Sequence, residues 1–100
     1  MKPFFVYLIE CADGSIYVGQ TDEMERRWAQ HQIGEACGYT CRRRPLRLIL
    51  VEEFPTRTEA FSRERQLKGW SRAKKKALVA GAWSRIRELA RAHPSTSGPS

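Results

Sequence analysis

The sequence predicts an α+β domain in which helices flank a three-stranded antiparallel sheet, with the element order β-β-α-β-α-α. Three observations indicate this class. Two runs rich in aromatic and β-branched residues, 4–11 and 15–20, are separated by a glycine turn. A third apolar run, 46–54, lies between stretches that carry helix caps. The chain of 100 residues is long enough for one domain with one modest core, which we expect over 1–92.

The first two strands are predicted to form a hairpin. Asp13-Gly14 is a frequent hairpin turn, and the runs on either side of it have the composition of strands. Thr21 or Asp22 can then cap a first helix, because acidic residues in its first turn favour the positive end of the helix dipole. This helix is expected to extend to about position 33, with Gly34 as its stop.

The second half of the chain predicts one strand and further helices. Residues 35–45 are expected to form an irregular loop that ends in a basic run. The strand 46–54 is apolar on both faces, which is typical of a strand that is covered on both sides, and Pro55 ends it. The elements expected after it are a helix from Thr56 or Thr58 to Lys68, a helix capped by Ser71 to about position 80, a helix over 83–92 and a disordered tail over 93–100.

Composition and charge narrow the function classes. The formal net charge is +7 and the pI about 9.8, which favours polyanionic partners and nucleic acid first. No apolar run approaches the roughly 20 residues of a membrane helix, so no membrane partner is expected. The start of the chain leads directly into a strand pattern rather than into a signal peptide. Three cysteines without an export signal predict reduced thiols and a cytoplasmic protein.

Two tyrosines of the hairpin, Tyr7 and Tyr17, are the first candidate site residues. With a two-residue loop they would face opposite sides of the sheet. With a three-residue loop, 12–14, Tyr7 would oppose Gly19 and both tyrosines would share one face, with Cβ atoms about 7 Å apart. A shared site therefore requires the odd-length turn. The alternative is that both tyrosines are ordinary core residues.

Arg27 and His31 lie one helical turn apart on the first helix, along one edge of the apolar stripe that contains Met24 and Trp28. A cationic side chain at the border of the core can reach a pocket while part of the side chain stays in solvent. The alternatives are that Arg27 pairs with a surface carboxylate and that His31 is structural.

Glu64 is the unusual residue of the second helix. Ala60, Phe61 and Leu67 are expected to form the apolar face of this helix, and Glu64 projects near its centre. A carboxylate on an inward face is costly unless it pairs with a cation or binds a metal. Because Mg²⁺ is often held by one or two carboxylates and several waters, one Glu is enough to predict a metal site. The alternative is a buried ion pair between Glu64 and Arg27.

Short motifs follow one another in a fixed order along residues 4–80. They are Phe5-Val6-Tyr7, 13–21, 25–31, Tyr39-Thr40, Arg44-Pro45, 52–56, Glu59-Ala60, Arg63-Glu64 and 68–75. In this order they resemble the GIY-YIG nuclease domain, in particular its small single-domain bacterial members. The chain departs from the family pattern at two points. Phe5 replaces the glycine that opens the first motif, and the chain contains no asparagine, although several family nucleases carry a late active-site Asn.

The resemblance implies the same three-stranded sheet and the hydrolysis of phosphodiesters with one divalent ion, Mg²⁺ or Mn²⁺. It assigns Tyr7 and Tyr17 to the motif tyrosines, Arg27 and His31 to the helix cations, and Glu64 to the metal ligand. One tyrosine would take the proton of the attacking water, and which of the two does so stays open. A phenol with a pKa near 10 is a poor base, and Arg27, the metal and a protonated His31 would lower that pKa.

Basic residues outside this set predict contacts with nucleic acid. They are Arg42, Arg43, Arg44, Arg72, Lys74 and Lys75. We expect a DNA endonuclease with little sequence specificity, acting on branched, nicked or damaged DNA, with RNA and the oligomeric state left open. Two alternatives are a non-catalytic nucleic-acid-binding module on the same scaffold and a module that docks acidic proteins.

Overall fold

A computed structural model describes residues 2–35 and 38–81 of the chain. Within them, three strands form one antiparallel sheet: β1 (Phe4–Glu10), β2 (Ile16–Thr21) and β3 (Arg47–Phe54), in the spatial order β2-β1-β3. This confirms the predicted α+β architecture. The predicted helix 83–92 and tail 93–100 lie outside the described residues.

The β1–β2 hairpin has the odd-length turn that a shared tyrosine site requires. Tyr7 opposes Gly19, Ile9 opposes Tyr17, and the last pair joins Glu10 to Ile16. The loop between the strands closes through the backbone N–H of Cys11, which donates to the Ser15 carbonyl at 2.9 Å. Gly14 occupies the left-handed position of this loop, with φ +85°. Both tyrosines therefore lie on the same face of the sheet.

Helices cover the two faces of the sheet, and alternate residues of the central strand β1 contribute to separate cores. On the first face, Val6 and Leu8 pack with residues of α3 (Arg57–Lys68) and α4 (Arg72–Val79). On the second face, Tyr7 and Ile9 pack with residues of α1 (Met24–Gln32). We call these the α3 face and the α1 face. The tyrosine site belongs to the α1 face.

The loop predicted to be irregular contains a short helix, α2 (Gly38–Cys41), so the prediction of no regular structure there was wrong. Glycine, threonine and cysteine are poor helix formers, which is why the local sequence does not indicate a helix. Arg43, two residues after the helix, bonds to two of its carbonyl groups. Its backbone N–H donates to the Thr40 carbonyl at 3.0 Å, and its guanidinium donates to the Tyr39 carbonyl at 2.9 Å. Contacts from beyond the helix therefore stabilise it.

The predicted caps of the later helices are confirmed. Thr56 Oγ1 accepts from the Glu59 backbone N–H at 3.2 Å, which caps the helix, and the Thr56 hydroxyl also donates to the Glu59 carboxylate. Ser71 Oγ accepts from the Lys74 backbone N–H at 3.1 Å. The first helix begins at Met24, one or two residues later than expected, because Thr21 Oγ1 accepts from the Glu23 N–H in a turn that precedes the helix.

Two predictions about burial were wrong. Phe61 was expected on the inward face of α3 but is 47% exposed, because only Ala60 and Leu67 of this helix reach the core. The third strand was expected to be covered on both faces, yet Val51, which opposes Tyr7 on the α1 face, is exposed, so the helices cover that face of β3 only in part. No helix within residues 2–35 and 38–81 is long and apolar enough to cross a membrane.

Candidate active site

The candidate site follows β2, an outer strand of the sheet. Tyr17 and Gly19 of this strand meet Tyr7 and His31 on the α1 face. Gln20 points to the opposite face and meets Glu64. Thr21, the last residue of the strand, borders a cavity beside Arg27. The polar residues that the sequence assigned to the reaction therefore all lie along one outer strand of the sheet.

Tyr7 is almost fully buried, with 2% of its surface exposed, and its hydroxyl lies 2.9 Å from His31 Nε2. The phenol reaches this position because Gly19 leaves space for it. A Cβ at Gly19 would lie only 2.5 Å from Tyr7 Cζ and from the hydroxyl oxygen. The glycine of the second motif is thus required for close side-chain approach, and not for an unusual backbone angle.

Tyr17 joins the site through its ring. Its centroid lies 6.3 Å from that of Tyr7, 5.3 Å from that of His31 and 5.9 Å from that of Tyr39. Arg43 extends this series, since its guanidinium carbon lies 3.9 Å from the centroid of the Tyr39 ring. Tyr39 is exposed, whereas Tyr7 is buried. The aromatic series therefore leads from the surface to the buried hydroxyl.

His31 is fully buried and holds a polar partner at each ring nitrogen. Nε2 contacts the Tyr7 hydroxyl, and Nδ1 lies 2.8 Å from Thr40 Oγ1. Burial lowers the pKa of His31 below its usual value of 6.5, and the positive charge of Arg27 lowers it further. His31 is therefore neutral at pH 7. The expectation that a protonated His31 would lower the pKa of a tyrosine was wrong, because its site disfavours a second positive charge.

Arg27 is half-buried and lines a cavity of about 270 Å³ at the end of β2. The other residues around this cavity are Thr21, Asp22, Glu23, Arg26 and Gln30. Because Arg27 affects the pKa of His31, its charge acts on the same site as the tyrosines. A guanidinium at the mouth of such a cavity can present its planar fork to a phosphate.

Glu64 approaches β2 from the α3 face, and its side chain is only 12% exposed. Its two oxygens meet Gln20 Nε2 at 3.0 Å and Lys68 Nζ at 3.2 Å. Among the described residues, the predicted alternative partner Arg27 does not form this ion pair. The sequence therefore placed Glu64 correctly on an inward face, and the tertiary structure selects its partners.

The residues at Glu64 fit a metal site that uses one protein carboxylate. Within residues 2–35 and 38–81, no group of three His, Cys, Asp or Glu side chains converges on a common point. Mg²⁺ is commonly bound by one or two carboxylates, with waters and substrate phosphates as its other ligands. Lys68 is an exposed side chain on a flexible stem, so it can leave the Glu64 oxygen when a stronger cation binds. Glu64 would then be the protein ligand.

The residues predicted to contact nucleic acid separate into two groups. Arg42 and Arg44 are exposed and Arg43 is half-buried, and these three border a cavity of about 400 Å³ beside the hairpin turn. Arg72 is also exposed, and its Nε donates to the Gly14 carbonyl at 2.6 Å. These four cations lie near the turn that precedes Tyr17.

The second group consists of lysines of α4. Lys74 is only 6% exposed, and its Nζ lies 4.5 Å from the centroid of the Trp70 ring. A buried ammonium held by a cation–π contact does not fit a role as a surface phosphate ligand. Lys75 is half-buried, and burial lowers its pKa. Trp70 itself belongs to the hydrophobic core.

Two functional features were missed by sequence reasoning. Thr40 was noted only as part of a short motif, and its contact with His31 was not expected. The space that Gly19 provides for Tyr7 was also missed, although its position opposite Tyr7 was predicted. The sequence did contain one signal for Thr40, since Tyr39-Thr40 belongs to the same ordered series of motifs as the helix segment that contains His31.

Comparisons with known proteins identify the family of this chain. Residues 3–77 match the family model described as the GIY-YIG catalytic domain. A UPF0213 protein of Natronomonas pharaonis is 45% identical over 76 residues, which cover 76% of this chain and 89% of that protein. A UPF0213 protein of Staphylococcus saprophyticus is 39% identical over 79 residues, which cover 79% of this chain and 96% of that protein.

Two solved structures are similar as well, both determined by solution NMR. A UPF0213 protein from Bacillus halodurans shares 41% identity and a TM-score of 0.53, over 78% of this chain and 83% of that one. A protein from E. faecalis shares 37% identity and a TM-score of 0.59, over 81% of this chain and 86% of that one. Since the family model covers most of the chain and close relatives occur in bacteria and archaea, this chain belongs to the GIY-YIG family of nuclease domains.

Proposed function

We propose that this protein is a divalent-metal-dependent endonuclease that hydrolyses DNA phosphodiesters with little sequence specificity. The observation that carries the proposal is the buried pair formed by the Tyr7 hydroxyl and His31 Nε2, 2.9 Å apart beside the outer strand β2. A core tyrosine needs one hydrogen-bond partner. A purely structural role does not require that this partner be a neutral histidine. It also does not require a glycine opposite the tyrosine that leaves space for the hydroxyl beside an outer strand.

The Tyr7–His31 pair supplies the base for the attack of water on phosphorus. As the water oxygen bonds to phosphorus, its proton passes to the Tyr7 oxygen, and the Tyr7 proton passes to His31 Nε2. The bond between phosphorus and the 3′ oxygen breaks, and solvent protonates the leaving oxygen. The products are a 5′-phosphate and a 3′-hydroxyl. This arrangement favours Tyr7 over Tyr17 as the base, because the described contact with His31 is made by the Tyr7 hydroxyl.

Arg27 and Glu64 act on the phosphate from either side of β2. Arg27 would donate to the non-bridging oxygens and oppose the negative charge that develops in the transition state. Glu64 would hold Mg²⁺ or Mn²⁺, and the ion, when bound, supplies positive charge to the phosphate and to the leaving oxygen. Gln20, which contacts the Glu64 carboxylate, would keep that side chain oriented toward the strand.

The basic residues near the hairpin turn would position the substrate. Arg42, Arg43, Arg44 and Arg72 offer cations to the phosphate backbone, and Lys75 adds a partly buried one. Lys74 is omitted because it is buried. Contacts of this kind follow backbone shape rather than base sequence, so branched, nicked or damaged DNA is the proposed substrate. The cytoplasm is the proposed location.

The test is nicking of supercoiled plasmid and of a branched duplex with Mg²⁺, Mn²⁺ or chelator. The proteins are the wild type, Tyr7→Phe, Glu64→Gln and the control Glu53→Gln, which changes an exposed carboxylate on β3. We expect cleavage by wild type and control, and loss of cleavage in Tyr7→Phe, in Glu64→Gln and with chelator.

A second outcome would support the non-catalytic binding module instead. Both Glu64 oxygens already have protein partners, and the chain has no asparagine; these two observations favour a binding module over a nuclease. Binding of DNA by all four proteins, with no cleavage of either substrate under any condition, would reject the nuclease and leave the binding module.

A further inference from the structure

We propose that Thr40 is a positioning residue that fixes the tautomer of His31, so that the unprotonated Nε2 faces the Tyr7 hydroxyl. The inferred effect of Thr40 on catalysis rests on the proposed nuclease activity. The tautomer itself is a property of the free protein and can be measured without substrate. Thr40 lies on α2, and the motif that contains it has no role in the reaction described above.

The contact between Thr40 and His31 is short and fully buried. Thr40 Oγ1 lies 2.8 Å from His31 Nδ1, and both residues have no exposed surface. Bulk water therefore cannot replace the threonine hydroxyl as the partner of Nδ1. The Arg43 backbone N–H, which donates to the Thr40 carbonyl at 3.0 Å, anchors the residue that carries this hydroxyl. Thr40 is thus held in place by its own backbone as well as by His31.

A neutral imidazole carries one proton, so one ring nitrogen donates and the other accepts. Because burial and Arg27 keep His31 neutral, its two contacts are coupled. The Tyr7 phenol is far more acidic than the Thr40 hydroxyl, and it is the better donor to a basic nitrogen. The favoured arrangement therefore has Tyr7 O–H donating to Nε2 and Nδ1–H donating to Thr40 Oγ1.

In this arrangement, Nδ1–H donates to Thr40 Oγ1 both before and after the proton transfer. When Nε2 receives the Tyr7 proton, His31 becomes an imidazolium that donates from both nitrogens. Thr40 Oγ1 accepts from Nδ1–H in both states, so this side of the site does not have to reorganise. In the opposite tautomer, Nε2 already carries a proton and cannot accept another. Thr40 would therefore determine whether His31 can act at all.

The experiment uses two variants, each of which removes one feature of Thr40. Thr40→Val keeps the branched shape and removes the hydroxyl, whereas Thr40→Ser keeps the hydroxyl and removes a methyl group. The first readout is the imidazole ¹⁵N NMR spectrum at pH 7.5 without DNA, which identifies the protonated nitrogen. The chain has two histidines, so His31→Gln assigns the signals. We expect a proton on Nδ1 in wild type and Thr40→Ser, and on Nε2 in Thr40→Val.

The second readout is the nicking rate. Loss of a group that orients a histidine through its other nitrogen costs about 10- to 100-fold at metal sites, and we expect a similar loss of kcat in Thr40→Val, with KM little changed. Thr40→Ser should restore most of the rate. Rescue by serine separates positioning by the hydroxyl from a simple packing role.

Three results would overturn the inference. They are a wild-type His31 protonated on Nε2, an unchanged tautomer in Thr40→Val, and equal rates in the two variants. If Thr40→Val does not fold, the spectra of wild type and Thr40→Ser still decide the tautomer. If the wild type does not nick DNA, the proposed function fails, while the NMR result still confirms or rejects the role of Thr40 toward His31.

Discussion

Gly19 is the residue at which a single methyl group would disturb the whole tyrosine site. It lies opposite Tyr7 in the hairpin, and the hydroxyl of Tyr7 occupies the space that a side chain would fill. The same hydroxyl contacts His31, whose other nitrogen contacts Thr40. A change at one of these four residues is therefore transmitted to the others through direct contact.

Gly19→Ala should lower both stability and nicking. Its Cβ would lie 2.5 Å from Tyr7 Cζ and 3.0 Å from Tyr17 Cε2, and a buried ring cannot move away freely. Overpacking of this kind costs about 1–3 kcal/mol in the free energy of unfolding, measured by urea denaturation. Gly38→Ala is the control, since nothing lies within 4 Å of its Cβ. Equal stability of Gly19→Ala and wild type would contradict the close approach.

His31 gives the protein a pH dependence with a defined sign. Its folded pKa is lowered from 6.5, so below that pH the unfolded chain binds a proton that the folded chain does not. The free energy of unfolding should therefore fall as pH drops below about 6.5, by at most about 1.4 kcal/mol per pH unit, until the folded His31 is also protonated. Urea denaturation across this range should give a shallower dependence in His31→Gln. Parallel curves for the two proteins would show that His31 is not responsible.

At the scale of elements, the hairpin loop determines which residues share a face. A loop with one residue fewer would turn Tyr17 to the side of α3, away from Tyr7 and His31. The observed loop is maintained by the left-handed Gly14 and by Arg72 of α4, whose guanidinium donates to the Gly14 carbonyl. The turn thus connects α4, which packs on the α3 face, with the tyrosines on the α1 face.

Gly14→Ala should destabilise the hairpin because φ +85° is unfavourable for a residue with a Cβ. The expected cost is about 1–2 kcal/mol in the free energy of unfolding. Gly14→Asn should cost less, because asparagine tolerates this conformation. The midpoint of urea denaturation measures both variants. If alanine and asparagine are equally tolerated, the loop does not depend on the left-handed backbone.

At the scale of the whole molecule, part of the positive charge lies close to the candidate site. The net charge is +7, and the exposed Arg42 and Arg44 border the cavity beside the hairpin turn. Arg43 stacks on Tyr39, which in turn lies next to Tyr17. A phosphate backbone held by these arginines would thus run toward the exposed edge of β2.

Removal of this charge should weaken DNA binding without changing its sequence preference. For Arg42→Ala and Arg44→Ala, we expect the slope of log K against log salt concentration to fall by about 1 for each arginine that binds a phosphate in the wild type. Fluorescence anisotropy on two unrelated duplex sequences measures this slope. Arg57→Ala is the control, because Arg57 lies over Phe4, at the opposite end of β1 from the turn. A weaker affinity for only one of the sequences would contradict shape-directed binding.

The sequence by itself determined the features that depend on neighbouring residues. The composition of two strand runs, the turn between them and the caps at Thr56 and Ser71 all act within a few positions along the chain. For the same reason, period-two alternation was enough to predict that Tyr7 and Tyr17 share a face if the loop has three residues. The chemical identity of the candidate site could thus be predicted from local sequence.

Only the tertiary structure decided how segments far apart in the chain meet. The contact of Thr40 with His31, the pairing of Glu64 with Gln20 and the burial of Lys74 against Trp70 depend on how helices pack on the sheet. Packing also makes His31 neutral, because desolvation is a property of the folded environment and not of the residue type. The sequence therefore named the candidate groups, and the fold determined their partners and the neutral state of His31.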